Sequence, residues 1–356
     1  MMFAGARRRR AALRLARWLG PWADAEAAPP GVQREAVVLP DGDGEVRIFV
    51  GPGRPHGAVF LVPGLHYAGA DDPRLDRFCR ILAAAGLWVC VPCLPDFLAL
   101  RLHERVIADT ARIFDHAVAW PGRPPGPLGV MSISFGSLPA LHLAAARPDA
   151  VKRLLVFGGY ADWQAVMRFA VTGGDGVPYD PLNRPVVYMN LLADLPGAPA
   201  DPAPLLAAWR AYIEATWGRP EMKADGAWQA VARAHGAALP APLRALFLKG
   251  CGVGPQGAQA VMRALARGGP RPWLDPRPVL PDIHCPVDLV HGADDDVIPH
   301  TELAALAAAF GADQTVRTWL TGLYGHTGSA GLDGLRAGLR EGRILWGVVH
   351  ALADLG

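Results

Sequence analysis

The chain has 356 residues, a formal net charge of +2, and a composition that is 51% hydrophobic and 19% charged. That balance describes a folded chain with a large core and excludes a disordered one. So small a charge gives no footing for nucleic acid. Five cysteines without regular spacing exclude a disulfide framework, and no apolar run approaches the roughly 20 residues that span a bilayer.

Residues 1–31 read as a basic helix and a linker. Arg7, Arg8, Arg9 and Arg10 precede Leu15, Trp18, Leu19 and Trp22 at helical spacing, and Ala25 to Gly31 is rich in Ala and Pro. Arg14 and Arg17 break the apolar stretch that a signal peptide needs. A helix packed on its own domain, or a frayed tail, is the preferred expectation. The alternative is a basic amphipathic helix in weak contact with a membrane surface. The expected location is the cytoplasm, with that peripheral contact as the variant.

Two short strands follow, Ala36 to Leu39 and Val46 to Val50, joined by Asp41-Gly42-Asp43-Gly44, whose Asp-Gly pairs suit a hairpin turn. Then strands and helices alternate. Strands are expected at Val59 to Val62, Leu87 to Val91, Leu128 to Ser132, Arg153 to Phe157, Val287 to His291 and Val316 to Leu320. Helices are expected at Arg74 to Ala85, His103 to Ala119, Phe135 to Ala146, Thr301 to Phe310 and from about Gly331 to Ala353. A hairpin followed by repeated strand–helix units predicts an α/β fold: a mostly parallel, doubly wound sheet of about eight strands, covered on both faces. Cys90 and Cys93 form C-x-x-C, but positions three apart on a strand face opposite sides, so two buried, reduced thiols are expected rather than a redox or zinc pair.

The stretch 160–283 breaks the alternation and is too long for a loop. It is rich in Trp and Pro, with helical patterns at Trp163 to Val171, Pro204 to Trp217 and Trp228 to His235. It reads as an inserted, mainly helical cap on a core made of residues 32–159 and 284–356.

The chemistry centres on Ser132-Ile133-Ser134-Phe135-Gly136, between an expected strand and an expected helix. A sharp strand–turn–helix exposes its middle residue above the sheet and requires small residues two positions either side. That spacing selects Ser134 over Ser132 and Ser137. A serine hydroxyl needs a base, and the base needs a carboxylate to orient it. Gly292-Ala293-Asp294-Asp295-Asp296-Val297-Ile298-Pro299 follows one late strand, and Gly325-His326 follows the last. Both lie at the carboxyl edge of the sheet, where such folds hold their sites. His326 is the expected base. His291 and His300 fit structural roles, and Asp162 is the runner-up acid. The backbone N–H groups of Phe135 and Leu65 are the expected anion-stabilising donors, and His66 and Tyr67 are candidates to line the substrate.

These four segments, in this order, resemble the α/β-hydrolase superfamily. The Gly-x-x-Asp-x-x-Ile-Pro spacing from Gly292 matches the family's acid segment and points to Asp295. The resemblance implies a serine hydrolase with Ser134, Asp295 and His326 as triad. It would act on an ester, thioester or amide of a small apolar acyl substrate, through an acyl-enzyme and without metal or organic cofactor. Two positions depart from the family pattern: Pro63 stands where many members carry His, and Ser132 replaces the first elbow glycine. The competing classes are a non-catalytic binding protein and a lyase or perhydrolase on the same scaffold.

Overall fold

The computed structural model describes residues 2–20, 23–174, 176–223, 226–254, 256–322 and 335–356. Helix α1 (Met2–Leu19) comes first. Strands β1 (Gln33–Val38), β2 (Glu45–Val50) and β3 (Gly57–Val62) follow, then α2 (Pro73–Ala84), β4 (Leu87–Cys93), a single turn α3 (Pro95–Leu98) and α4 (Arg105–Val118). Next come β5 (Leu128–Ile133), α5 (Ser137–Ala146) and β6 (Val151–Phe157). After residue 283 the chain resumes with β7 (Val287–Gly292), α12 (Thr301–Ala309), β8 (Val316–Thr321) and α13 (Leu335–Ala353). The first four residues of the expected last helix, 331–334, lie outside the described residues.

The eight strands form one sheet in the order β1-β2-β4-β3-β5-β6-β7-β8. β2 is antiparallel to both β1 and β4, and every other pair is parallel. β3 is buried along its whole length, as expected for a strand covered on both faces. Alternation sorts its side chains: Phe60 and Val62 enter one core layer, Val59 and Leu61 the other. Cys90 and Cys93 separate in the same way, one in each layer. All five thiols are free, and burial raises the Cys93 thiol to about 11. Strand β4 runs two residues past the expected end, through Pro92. Its pairing to β3 stops at Phe60–Cys90, so Pro92 meets only β2, and a missing N–H there breaks no ladder on the other side.

Helices α4 and α5 cover one face; α1, α2 and α13 cover the other. Asp72 starts α2: its carboxylate accepts from the N–H groups of Arg74 and Leu75, and Pro73 supplies the preset φ of a first turn. Among the described residues, 160–283 contributes nothing to the sheet. It holds α6 (Trp163–Thr172), α7 (Arg184–Leu191), α8 (Ala203–Thr216), α9 (Ala227–Ala237), α10 (Ala241–Gly250) and α11 (Gly257–Arg267). Their buried side chains are continuous with the core layer under α4 and α5; within it the Trp209 ring packs between Tyr188 and Phe247 and its N–H donates to the Phe247 carbonyl at 3.1 Å.

Candidate active site

β5 ends in the middle of the sheet, and Ser134 follows it at φ +54°. A non-glycine residue there carries roughly 1–2 kcal/mol of backbone strain. The strain is held by close packing around the turn. A Cβ on Gly136 would lie 2.4 Å from the Pro63 carbonyl oxygen, and one on Gly64 would lie 3.2 Å from the Ser134 Cβ. The Pro63-Gly64 loop at the end of β3 is thus pressed against the turn that presents Ser134. Ser132, in place of a glycine, is accommodated with its hydroxyl buried and without a hydrogen-bond partner among the described residues. Gly136→Ala should displace the Pro63 loop and lower stability by about 1–3 kcal/mol; if Leu65 N–H is the donor the sequence leads one to expect, hydrolytic turnover should also fall at least about a hundredfold. Thermal melting and kcat/KM of the same preparation would check both.

Phe135 is buried, with its ring 5.3 Å from that of Tyr160. Leu65 is half-buried in the loop after β3. Beside it, His66 stacks on Tyr67 at 4.5 Å and meets the Trp217 ring at 5.3 Å, so residues after α8 roof this loop. Arg210 of α8 lies over the Tyr67 ring. The Nδ1 of His66 accepts from the Ala68 N–H at 3.1 Å, and its Nε2 lies 3.1 Å from the Asp72 carboxylate. Burial pushes His66 down to about 4; Arg74 and Arg210 add to the effect and Asp72 opposes it. His66 is therefore a neutral imidazole near pH 7 that braces its own loop. Burial acts to raise the Asp72 carboxyl, but Arg74 and His66 hold it below its usual range.

β7 ends at Gly292, and the three following carboxylates part company. Asp294 is exposed, Asp295 is 1% exposed, and Asp296 is intermediate. The Asp295 Oδ1 accepts from the N–H groups of Val297 and Ile298, both at 2.9 Å. Its Oδ2 is 3.4 Å from the His291 Nε2, but that nitrogen donates to the Ile298 carbonyl at 2.9 Å. His291 thus closes the loop that follows β7. Asp162 caps α6, accepting from the N–H groups of Gln164 and Ala165, and the buried Glu302 carboxylate accepts from Ala161 and Asp162 at 2.8 Å. His326 and Trp22 lie outside the described residues.

β5 and β7 flank β6, and all three run parallel. Strands pair about 4.8 Å apart, so the ends carrying Ser134 and Asp295 stand about 10 Å apart at one sheet edge.

A latch beside the acid loop was not legible beforehand. Lys223 reaches the Asp296 carboxylate at 2.7 Å and the Asp180 carboxylate at 2.9 Å, and the Asp180 N–H donates to the Asp296 carbonyl at 2.8 Å. Asp180 is buried, and burial raises its carboxyl despite Lys223. Nothing in local pattern joins positions 180, 223 and 296; only the tertiary fold does. Lys223→Met would leave two carboxylates facing each other. The expected loss is about 1–3 kcal/mol, less than the 3–5 of a fully buried pair because Lys223 is partly solvated. A lowered thermal midpoint that is restored by Arg but not by Gln at position 223 would be the signature.

No protein-family model matches the chain, and no curated protein matches it. Solved structures similar to it include a serine hydrolase from Cycloclasticus zankles, with 12% identity over 91% of this chain and 98% of that one and a TM-score of 0.47. Est1E from Butyrivibrio proteoclasticus gives 13% identity over 91% and 99%, with a TM-score of 0.46. The 2-hydroxy-6-oxo-6-phenylhexa-2,4-dienoate hydrolase from Rhodococcus sp. strain RHA1 gives 15% over 84% and 92%, with a TM-score of 0.45. Values of this size say nothing about activity. The sheet order with its antiparallel second strand, and the left-handed serine between β5 and α5, give the chain the α/β-hydrolase fold.

Proposed function

We propose that the protein is a serine hydrolase that cleaves an ester, thioester or amide of a small apolar acyl substrate through an acyl-enzyme. The observation that carries this reading is the strained Ser134, held at φ +54° by the packing of Gly64 and Gly136. Strain of this kind is maintained at sites where a side chain must be presented.

In the proposed reaction His326 removes the Ser134 Oγ proton as the oxygen attacks the acyl carbonyl carbon. The carbonyl π electrons move to oxygen, and the N–H groups of Phe135 and Leu65 stabilise the resulting oxyanion. As the intermediate collapses, the bond to the leaving group breaks and His326 returns the proton to it. Water then repeats the sequence on the acyl-enzyme. Asp295 accepts from the imidazole and stabilises its cationic form. Position 326 comes four residues after Gly322, just past β8, and β8 stands three strand spacings of about 4.8 Å from β5, about 14 Å in all; an extended chain covers about 3.3–3.6 Å per residue, so the four residues together with the imidazole side chain can bridge that distance. The aromatic roof of Tyr67 and Trp217 beside Leu65 suits an apolar substrate.

A fluorophosphonate tests the reading directly, since it reacts with an activated serine. The expected result is a single adduct that maps to Ser134. An unmodified intact mass, together with no turnover over a panel of ester, thioester and amide chain lengths, would favour a binding protein on this scaffold.

A further inference from the structure

From the outward face of α1 and α13 we infer a docking surface for an anionic lipid bilayer. Among the described residues five large apolar side chains are exposed, and three of them, Leu13 (60%), Leu339 (65%) and Trp346 (45%), lie on these two helices. The helices pack on each other. Arg8, near the start of α1, pairs with Asp354, just past the end of α13, at 2.5 Å, so the two run antiparallel. At about 1.5 Å per residue, Leu13 stands about 7 Å along α1 from that pair and Trp346 about 12 Å back along α13. They are level to within one helical turn. Leu339 is seven residues from Trp346, hence on the same face of α13.

The apolar face of α1 that the sequence exposes is turned inward: Ala11, Ala12 and Leu15 are buried. The face left outside is basic. The sequence of α1 contains six arginines and no acid. Arg9, Arg10, Arg14 and Arg17 are exposed and have no acidic partner among the described residues, and the same holds for Arg340 and Arg343 of α13. Arg10 and Arg14 also line a cleft of about 560 Å³ with Arg54 and His56, wide enough for a phosphate headgroup.

Charge decides the occupant. A second copy placed face to face would oppose arginine to arginine. Nucleic acid would use the arginines but has no use for two exposed leucines. An anionic bilayer takes both: its headgroups meet the guanidinium groups, while leucine and tryptophan enter the interface. Each basic side chain near such a surface strengthens binding about fivefold.

The test uses the full chain and vesicles of phosphatidylcholine, alone or with one-third phosphatidylglycerol, in flotation. The expected result is partition at least about tenfold stronger onto the anionic vesicles, reversed near 1 M salt, where charge is screened within about 3 Å. The triple variant Leu13→Ser, Leu339→Ser, Trp346→Ser and the double variant Arg10→Glu, Arg17→Glu should each lose at least about tenfold in partition. Both should melt as the parent does and turn over a soluble ester at the parent rate. The proposal is overturned by equal partition of the parent onto both vesicle types or none, or by variants that float like the parent. It is also overturned by a parent dimer that the triple variant dissociates, or by duplex DNA displacing the protein from vesicles.

Discussion

Ser134→Ala is expected to reduce turnover of a short p-nitrophenyl ester by about 10³- to 10⁶-fold while leaving the fold intact. Alanine is about as strained as serine at φ +54°, so the substitution removes the hydroxyl and little else. Ser134→Gly separates the two roles of the position. It is equally inactive, but glycine adopts positive φ freely, so it should be more stable than the parent by about 1 kcal/mol. A serine kept for structure would behave in the opposite way, with glycine harmless to activity. Ser132 and Ser137 are wholly buried at 0%, whereas Ser134 keeps 5% exposure, so their alanine variants should retain the fluorophosphonate adduct. Loss of labelling in either of those, with labelling intact in Ser134→Ala, would move the nucleophile.

Much of this molecule was legible in the sequence because the determinants are local. Each strand of the core reads as a short apolar run with a turn signal behind it, and β3 and β7 are buried throughout, as such runs require. The turn at Ser134 was readable because its small flanking residues are a steric demand of the backbone itself, seen in the 2.4 Å approach at Gly136. Within 160–283, α6, α8 and α9 were found from their periodicity. α7, α10 and α11 were not: Pro185 and Pro242 sit in their first turns and Gly257 opens the third, and these residues read as breakers unless the helix start is already known. The contacts of Lys223 with Asp180 and Asp296, and of Trp217 with His66, join segments far apart in sequence, and no spacing rule anticipates them. The outward basic face of α1 shows the same limit. Periodicity identified the helix, but only packing against α13 decides which side meets solvent.

The three adjacent aspartates give the second large effect. Asp295→Asn should lower kcat/KM by roughly 10⁴, whereas Asp294→Asn should change it less than about threefold, since that carboxylate is exposed. Asp296→Asn weakens the contact with Lys223 and should act on stability, by about 1 kcal/mol, more than on rate. The asymmetry follows from how Asp295 is held. Its Oδ1 takes two backbone N–H groups, which an amide oxygen can also accept, so asparagine folds in the same pose. The amide nitrogen then replaces Oδ2, putting a donor where the imidazole of the base needs an acceptor and forcing the wrong tautomer. The pH profile identifies which imidazole is involved. With His326 as base, kcat/KM of the parent should rise with pH across the neutral range and level off above it. A limb near 4 would instead match His66, whose burial depresses it to about that value. Equal losses at 294, 295 and 296, or activity flat from pH 5 to 8, would remove the acid–base pair from the proposed reaction.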